Sequence, residues 1–270
     1  MTSEVMSTGS GHHYLEPMTE GAGALIREWR QRRNLSQLDL ANRAEVSTRH
    51  LSYIETARSK ATSEMLLRLC RHLEVPLREQ NRVLLAGGYA PAFPEHGLEE
   101  PPMAEANAAL EAILQAHMPY PALVVDRHWE LVTANEAAFS ILADVDEDLL
   151  EPPVNVLRVS VHPRGLAPRI VNLEEWRAFL VERLRHEYDA TPDPELKALR
   201  DEIAEGAGPP TQTSALVVPL QLRVGEDTVL SFISTTTVFG TPREVTLSEL
   251  AIEAFYPADE ATRKILSGYA

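Results

Sequence analysis

Apolar residues recur every three or four positions through residues 22–86, which is the spacing of helices that bury one face. The breaks in this pattern predict five short helices. The first runs from about Ala22 to Arg33, and the last ends at the pair Gly87-Gly88. On the outer face of the first helix the pattern places a set of arginines: Arg27, Arg30, Arg32 and Arg33.

The second and third predicted helices lie within residues 36–60 and are joined by a tight turn. Ser47 precedes the third helix, and its hydroxyl suits an N-cap because it can accept from a free backbone N–H. The side chains that we expect to be buried are Leu38, Leu40 and Ala41 in the second helix and Leu51 and Ile54 in the third.

The third helix keeps a polar face turned away from these apolar residues. Two short helices with an exposed polar face are typical of the helix-turn-helix unit, which enters the major groove of DNA. We expect Gln37 to hold a backbone phosphate, and the third helix to read bases. The candidate DNA-binding residues are Gln37, Ser47, Thr48, Arg49, Ser52, Tyr53 and Arg58. The alternative is an ordinary helical hairpin whose polar face is only solvated.

The charge distribution favours DNA binding by this part of the chain, although the net charge is −15. Residues 20–90 carry 12 Lys and Arg against 8 Asp and Glu, whereas residues 91–270 carry 13 against 30. A basic module joined to an acidic body is expected when only one domain meets phosphate.

The totals indicate a two-domain chain that works in the cytoplasm. Its 270 residues suit two domains that each bury a core. No apolar run is long enough to span a membrane, and we see no secretory signal. The one cysteine, Cys70, fits a reducing compartment and is expected to be a small core residue.

Residues 1–19 show no periodicity and are expected to form a disordered arm, and residues 91–102 hold four prolines and predict a linker. An alanine-rich helix follows over about 103–117. Beyond it the pattern predicts strands over 122–126, 129–133, 215–224, 228–239 and 249–256, with helices that begin near Asn135, Asn172, Pro192 and Asp259. This order predicts an α+β domain with an antiparallel sheet and helices on one face.

Particular residues within 20–90 carry a resemblance to a known family. Gln37, Ala41, Val46, Leu51, Ile54 and Glu55 match the pattern of the Cro/repressor-type helix-turn-helix of the Xre family. The strings VSTRHLSYIETARSK and PLREQNRVLLAGGYAP resemble the MmyB-like regulators within it. Two positions depart from the family, which usually has glycine where this chain has Glu45 and Ala57.

The resemblance continues through residues 103–270, in strings such as YPALVVDRHWELVTANEAA and FGTPREVTLSELAIEAFYPAD. It implies a PAS-like domain whose sheet and helices enclose a pocket for a small, mainly apolar molecule, such as a fatty-acyl compound or a secondary metabolite. The candidate apolar walls are Phe139, Trp176 and Phe232, each of which core packing also explains. The candidate head-group ligands are Arg158, His162 and Arg169, for which surface salt bridges are the alternative.

Motifs for other chemistry are missing from the sequence. Asp144, Asp146 and Asp148 have the spacing of calcium ligands, but the loop lacks the glycine and the final acidic ligand of an EF-hand. We find no metal-ligand spacing, no GxGxxG turn, no phosphate loop and no nucleophile elbow. The sequence therefore predicts neither an enzyme nor a resident cofactor.

Together these patterns predict a transcription regulator that binds a double-stranded DNA operator and responds to a small apolar or acyl-type effector. Half-site geometry favours a homodimer, and no membrane partner is expected. One alternative is an antitoxin-like or adaptor protein with weak DNA affinity. Another is a small-molecule enzyme with a DNA-binding appendage, which the missing catalytic motifs disfavour.

Overall fold

The computed structural model describes residues 20–205 and 217–268, and these residues form two compact units. The N-terminal unit contains residues 20–97 together with residues 241–248. The C-terminal unit contains the remaining described residues from 98 onward. The predicted disordered arm, residues 1–19, lies outside the described residues.

Residues 20–97 of the N-terminal unit form five helices, as the periodicity predicted. They are α1 (Ala22–Arg32), α2 (Gln37–Arg43), α3 (Thr48–Glu55), α4 (Ser63–His72) and α5 (Leu77–Ala86). Their apolar faces meet in one core around fully buried residues such as Ile26, Leu40, Leu51, Leu69 and Leu73. Cys70 lies in this core, and burial raises the pKa of its thiol to about 12, so the thiol stays protonated.

The same C-terminal turn ends all five helices. The residue after each C-cap has a left-handed backbone: Asn34, Glu45, Ala57, Glu74 and Gly88 have φ between 51° and 79°. In each case the next backbone N–H bonds back to a carbonyl five residues earlier, as Val46 N does to Ala41 O at 2.9 Å. This is the Schellman motif, which satisfies the carbonyls that a helix end leaves free.

Two side chains of the N-terminal unit lie where the helical pattern did not place them. Leu38 was predicted to be buried but is 57% exposed, because the short helix α2 turns only Leu40 and Ala41 inward. Arg30 was predicted on the outer face of α1 but is buried, because it pairs with the buried carboxylate of Glu55.

A five-stranded antiparallel sheet forms the centre of the C-terminal unit. Its strands are β1 (Ala122–Val125), β2 (Leu131–Ala134), β3 (Leu220–Arg223), β4 (Val229–Val238) and β5 (Ala251–Pro257). Their order is β2-β1-β5-β4-β3, so the last strand in the chain is the central one. In register, Leu123 of β1 and Thr236 of β4 both pair with Glu253 of β5.

Helices α6–α10 and α12 complete the C-terminal unit. They are α6 (Ala104–Ala116), α7 (Glu136–Leu142), α8 (Val156–Val161), α9 (Leu173–Ala190), α10 (Pro194–Ala204) and α12 (Glu260–Ser267). A short helix, α11 (Val245–Ser248), lies between β4 and β5 and is part of the N-terminal unit. Among the described residues, no helix is long and apolar enough to cross a membrane.

One of two predicted helix starts was confirmed and the other differs. Helix α9 begins directly after Asn172 as predicted, although the Asn172 side chain makes no N-cap hydrogen bond; its amide bonds to Glu175 Oε2 at 3.2 Å, to Pro219 O at 2.8 Å and from Gln221 N at 3.1 Å. The tenth helix begins at Pro194 with Asp193 as its N-cap, two residues after the predicted Pro192.

Candidate DNA-binding and ligand-binding sites

Local sequence and packing set the position of α3. The Ser47 hydroxyl accepts from His50 N at 3.1 Å, so Ser47 is the predicted N-cap. Leu51 and Ile54 are buried in the core of the N-terminal unit, which turns the opposite face of the helix outward. The polar side chains of α3 other than Glu55 therefore lie on its outer face.

Arg49 and Tyr53 lie one turn apart on this outer face and contact each other. Arg49 Nε donates to Tyr53 Oη at 3.0 Å, and its guanidinium carbon lies 5.3 Å from the centre of the tyrosine ring. Arg49 is exposed, while Thr48, Ser52 and Tyr53 are half-buried. The contact with Tyr53 places at the surface a guanidinium, the group that recognises guanine edges bidentately.

The other candidates for DNA contact lie around the ends of α2 and α3. Ser47 and Arg58 are exposed at the two ends of α3. Gln37 lies at the start of α2, where its amide nitrogen donates to Glu55 Oε2 at 2.8 Å. The structure thus fixes the Gln37 amide against Glu55, and its contact with a phosphate stays a prediction.

A buried ion pair beneath α3 was missed by the sequence reasoning. Arg30 Nε and Nη2 donate to the two carboxylate oxygens of Glu55 at 2.6 and 2.9 Å, and the Glu55 side chain is fully buried. With Gln37 also bonded to Glu55, the pair ties α1 and the start of α2 to the end of α3. The signal in the sequence was Glu55 itself, an acidic residue directly after the buried Ile54.

The second site is a cavity of about 90 Å³ between the sheet and helices of the C-terminal unit. Most of its lining is apolar and comes from β1, β2, β4, β5 and the helices α7, α8 and α9. Among the lining residues are Leu123, Trp129, Leu131, Ile141, Leu142, Leu157, Trp176, Leu180, Phe232 and Phe255. A small number of polar groups in an apolar cavity is the usual composition of a small-molecule site.

Two of the six predicted ligand-site residues line this cavity. Phe232 of β4 is fully buried, and Trp176 of α9 is 5% exposed. The Trp176 indole donates from Nε1 to Ser160 Oγ at 2.9 Å, so its polar edge is satisfied within the wall. Both side chains also belong to the hydrophobic core, as the alternative interpretation of each required.

The other four predicted residues lie outside the cavity lining, each for a visible reason. Phe139 is on the exposed side of the short helix α7, where it is 49% exposed. Arg158 is exposed and forms a bidentate pair with Glu202 at 2.8 Å. Arg169 donates to the backbone carbonyls of Ile141 and Arg223. His162 follows α8, and its Nδ1 accepts from Arg164 N at 3.1 Å.

The polar end of the cavity is formed instead by residues that the sequence reasoning missed. Arg183 of α9 donates from Nη1 and Nη2 to the two carboxylate oxygens of Glu253 at 3.0 and 2.6 Å. Its guanidinium carbon lies 4.2 Å from the centre of the Trp129 ring. Burial is the largest influence on the pKa of Arg183 and acts to lower it, but the hydrogen bonds to Glu253 and the negative charges of Glu253 and Glu187 together raise that pKa, so Arg183 is charged.

A second polar cluster surrounds His128, in the turn between β1 and β2. His128 Nε2 lies 2.9 Å from Asp193 Oδ2, and Nδ1 lies 3.3 Å from Glu195 Oε2. Burial is the largest influence on the pKa of His128 and acts to lower it, but the hydrogen bond to Asp193 and the negative charges of Asp193 and Glu195 together raise that pKa. The same hydrogen bond is the main reason that the pKa of Asp193 is lowered to about 2. Across the described parts of the chain, no group of three or more His, Cys, Asp or Glu side chains is placed to hold a metal ion.

Comparison with known proteins gives two family matches, one for each part of the chain. Residues 26–80 match the family described as helix-turn-helix, and residues 106–267 match the family described as MmyB-like transcription regulator ligand binding domain. The comparison with curated proteins gave no match.

Several solved structures show similarity to this chain, including the following three. Two are of the clp gene regulator ClgR from Corynebacterium glutamicum. One is 30% identical, with 27% of this chain and 92% of that chain covered and a TM-score of 0.23, and the other is 25% identical, with 36% and 90% covered and a TM-score of 0.22. The third, an RNA-binding light-oxygen-voltage receptor, is 13% identical, with 93% of this chain and 62% of the receptor covered and a TM-score of 0.25.

A helix-turn-helix region followed by an antiparallel sheet domain with an apolar cavity defines a DNA-binding transcription regulator with a ligand domain. The match over residues 106–267 covers more than half of the chain. The chain belongs to the family of MmyB-like transcription regulators.

Proposed function

We propose that this protein is a sequence-specific transcription regulator whose affinity for DNA changes when a small, largely apolar ligand fills the cavity of the C-terminal unit. The DNA-binding half of the proposal is supported by the contact between Arg49 and Tyr53 on the outer face of α3 and by the basic balance of residues 20–90. The ligand half is supported by the apolar cavity. A fatty-acyl compound or a secondary metabolite suits that lining.

The observation that carries the proposed coupling is the position of residues 241–248. They join β4 to β5, yet they pack within the N-terminal unit, where α11 lies against α5. Val245, at the start of α11, is fully buried, and its N–H donates to Pro94 O at 2.9 Å. The connection is therefore part of the structure that carries the helix-turn-helix.

Glu244 and Thr246 fix this connection further. Glu244 Oε1 accepts from His96 N at 2.8 Å, and Thr246 Oγ1 donates to His96 O at 2.8 Å. Glu244 Oε2 also accepts from Leu247 N at 2.6 Å, which holds the first turn of α11. The backbone N–H and the backbone carbonyl of His96 are thus both bound by residues that follow β4.

The strands on either side of this connection line the cavity. Phe232 and Ser234 belong to β4, and Glu253 and Phe255 belong to β5. Only residues 239–240 separate the connection from β4 and only residues 249–250 separate it from β5, so we expect a ligand that moves either strand to act on the connection as well. A ligand whose affinity differs between two positions of these strands would shift DNA affinity by the same coupling free energy.

We further propose that the C-terminal domain is PAS-like and that the protein acts in the cytoplasm as a homodimer. The antiparallel sheet with an apolar cavity beside its helices supports the first point. The need of helix-turn-helix proteins to span two half-sites supports the dimer. We propose no catalytic role, since both matched families are domains of regulators. The proposed domain ranges are 20–90 and 103–270, with residues 91–102 as the linker; residues 91–97 of this linker and residues 241–248 pack within the N-terminal unit.

The test of DNA recognition is the substitution Arg49→Ala, measured by titration of the full chain with DNA from its own promoter region. We expect specific affinity to fall by about 1–3 kcal/mol, because one guanidinium that reads a base is lost. Arg185→Ala is the matched control, since Arg185 is an exposed arginine on α9 that forms ion pairs with Glu182 and Asp189.

Equal affinity of wild type and Arg49→Ala would remove Arg49 as a base reader. If the protein instead co-purifies with a protein partner and binds the promoter DNA no better than unrelated DNA, the adaptor interpretation replaces the proposal. Loss of affinity in Arg185→Ala as large as in Arg49→Ala would show a general charge effect and no base recognition.

A further inference from the structure

The wall of the ligand cavity contains one charged pair in surroundings that are otherwise mostly apolar. Arg183 projects from α9, and Glu253 lies in the central strand β5, on the same face as the cavity-lining Phe255. The Glu253 side chain is 4% exposed and the Arg183 side chain is 17% exposed. Both residues line the cavity.

Stability alone gives little reason for this pair. Removing two charges from water is unfavourable, and well-packed apolar residues of similar volume often stabilise a fold as well or better. An ion pair retained against a cavity wall therefore points to recognition of a polar group on the molecule that fills the cavity. This step rests on the proposed function, namely that the cavity binds a ligand.

The hydrogen bonds of Arg183 limit what that polar group can be. A guanidinium has five N–H donors, and the described contacts account for four of them. Nε donates to Glu187 at 3.2 Å, Nη1 to Glu253 at 3.0 Å, and Nη2 to both Glu253 and Thr236 at 2.6 Å. One N–H on Nη1 is left for a single acceptor.

A free carboxylate does not suit this arrangement. It binds arginine most strongly through two parallel N–H groups, which Arg183 can offer only by releasing Glu253 or Glu187. Release of Glu253 would leave a nearly fully buried carboxylate without its cation, which is strongly unfavourable. The incoming anion would also lie beside two carboxylates that share one guanidinium.

An uncharged acceptor avoids both costs. A single carbonyl oxygen needs one N–H, and the Glu253 ion pair stays intact when that donor comes from Nη1 of Arg183. The hydroxyls of Ser160 and Ser234 also line the cavity and add uncharged hydrogen-bonding groups. The apolar walls then contact the rest of the ligand.

We propose that Arg183 and Glu253 recognise the polar end of the ligand, and that the preferred ligand is an apolar molecule with an uncharged carbonyl group, such as an acyl amide or ester, instead of a free carboxylic acid. Arg183 donates to the carbonyl oxygen. Glu253 and Glu187 disfavour a negative charge at the same place.

The experiment compares two probes of equal chain length, decanamide and decanoate, by calorimetric titration of the full chain after bound lipids are removed. At a pH about 3 units above the ordinary pKa of a carboxylic acid, decanoate is fully charged. We expect decanamide to bind at least about ten-fold more tightly than decanoate, the size of effect that one lost charged hydrogen bond produces.

Two variants test the assigned residues through the ratio of the two affinities. Glu253→Gln removes one carboxylate with little change in shape, and we expect the preference for decanamide to fall at least about ten-fold. Glu187→Gln should also lower the preference for decanamide. Because Glu187 is more exposed than Glu253, this variant tests the inference even if Glu253→Gln does not fold. Glu111→Gln on the exposed face of α6 is the matched control and should leave the ratio unchanged.

Each outcome has a defined meaning. If decanoate binds as tightly as decanamide, or if neither carboxylate variant changes the ratio, this inference is overturned while the proposed ligand-binding function stands. If neither probe binds and no retained molecule is found by native mass spectrometry, the cavity is not a ligand site for such molecules. In that case the proposed ligand response and this inference both fail.

Discussion

Glu45 and Ala57 show how single residues adapt a helix-turn-helix to an atypical sequence. Both stand where the resemblance to the Xre family leads us to expect glycine, and both have φ of 55°. Left-handed backbone costs a non-glycine residue about 1–2 kcal/mol. The Schellman hydrogen bonds around them, such as Arg58 N to Tyr53 O at 2.8 Å, hold this backbone conformation in place.

Replacing Ala57 with glycine should therefore stabilise the N-terminal unit. Relief of the left-handed strain, about 1–2 kcal/mol, exceeds the entropy that glycine adds to the unfolded chain, about 0.4–1 kcal/mol. We expect a net gain of about 0.5 kcal/mol in the free energy of unfolding in urea. Gly88→Ala, at φ 79°, is the reverse control and should destabilise. A loss of stability in Ala57→Gly would show that the strain is not present.

The sequence predicted the burial or capping role of a residue when the partners of that residue lay close to it along the chain. The Ser47 cap and the buried Leu51 follow from neighbours on the same helix, and both were confirmed. The burial of Arg30 was not predictable, because its partner Glu55 is 25 residues away. The exposure of Leu38 reflects how little surface a helix of seven residues can bury.

At the scale of elements, periodicity predicted the longer helices and four of the five strands within a few residues. The predicted strand over 215–224 begins only at Leu220, and residues 215–216 lie outside the described residues. Periodicity missed α8, whose six residues span fewer than two turns and give too short a pattern. It also placed the start of α10 at Pro192, since both Pro192 and Pro194 suit a first turn. The Asp193 side chain, which accepts from Glu195 N at 2.8 Å, fixes the later start.

The contact between the β1–β2 turn and the start of α10 should make the stability of the C-terminal unit depend on pH. The pKa of His128 is raised, so its charged form stabilises the fold below the ordinary value near 6.5, and this contribution is lost as pH rises through the raised value. The pKa of Asp193 is lowered to about 2, so its contribution is present above 3.8 and is lost as pH falls toward about 2.

We therefore expect His128→Gln to lower the melting temperature more at about pH 5.5 than at about pH 9, where histidine is neutral in wild type as well. The charged groups that face His128 are Arg127, Asp193, Glu195 and Glu130, and the carboxylates outnumber the one arginine. His186→Gln, at a histidine whose side chain is 68% exposed, is the control and should show little difference between the two pH values. An equal loss at both would contradict the ion pair.

The connection between β4 and β5 gives a second prediction at the scale of elements. Glu244→Ala removes the acceptor for His96 N and for Leu247 N, so it loosens residues 241–248 within the N-terminal unit. We expect the response of DNA affinity to ligand to shrink, while DNA affinity without ligand changes little. Glu226→Ala, in the exposed turn between β3 and β4, is the control, and a full response in Glu244→Ala would argue against transmission through this connection.

For the molecule as a whole, the sequence predicted a basic helical part and an acidic α+β part, and the two family matches agree with that organisation. It did not predict that residues 241–248 belong with the N-terminal unit, because no local pattern marks a contact with residues about 150 positions away. Likewise, the hydrophobic pattern was enough to predict Trp176 and Phe232 as apolar walls of the cavity. The Arg183–Glu253 pair joins a helix to a strand 70 residues later and needed the structure.

The most direct test of ligand-modulated DNA binding is one titration of the full chain with its own promoter DNA, carried out with and without extracted cellular metabolites. A coupling free energy of about 1–3 kcal/mol predicts that the extract changes the dissociation constant by about 5- to 150-fold. Specific binding that the extract leaves unchanged, or no specific binding in either condition, would contradict the account.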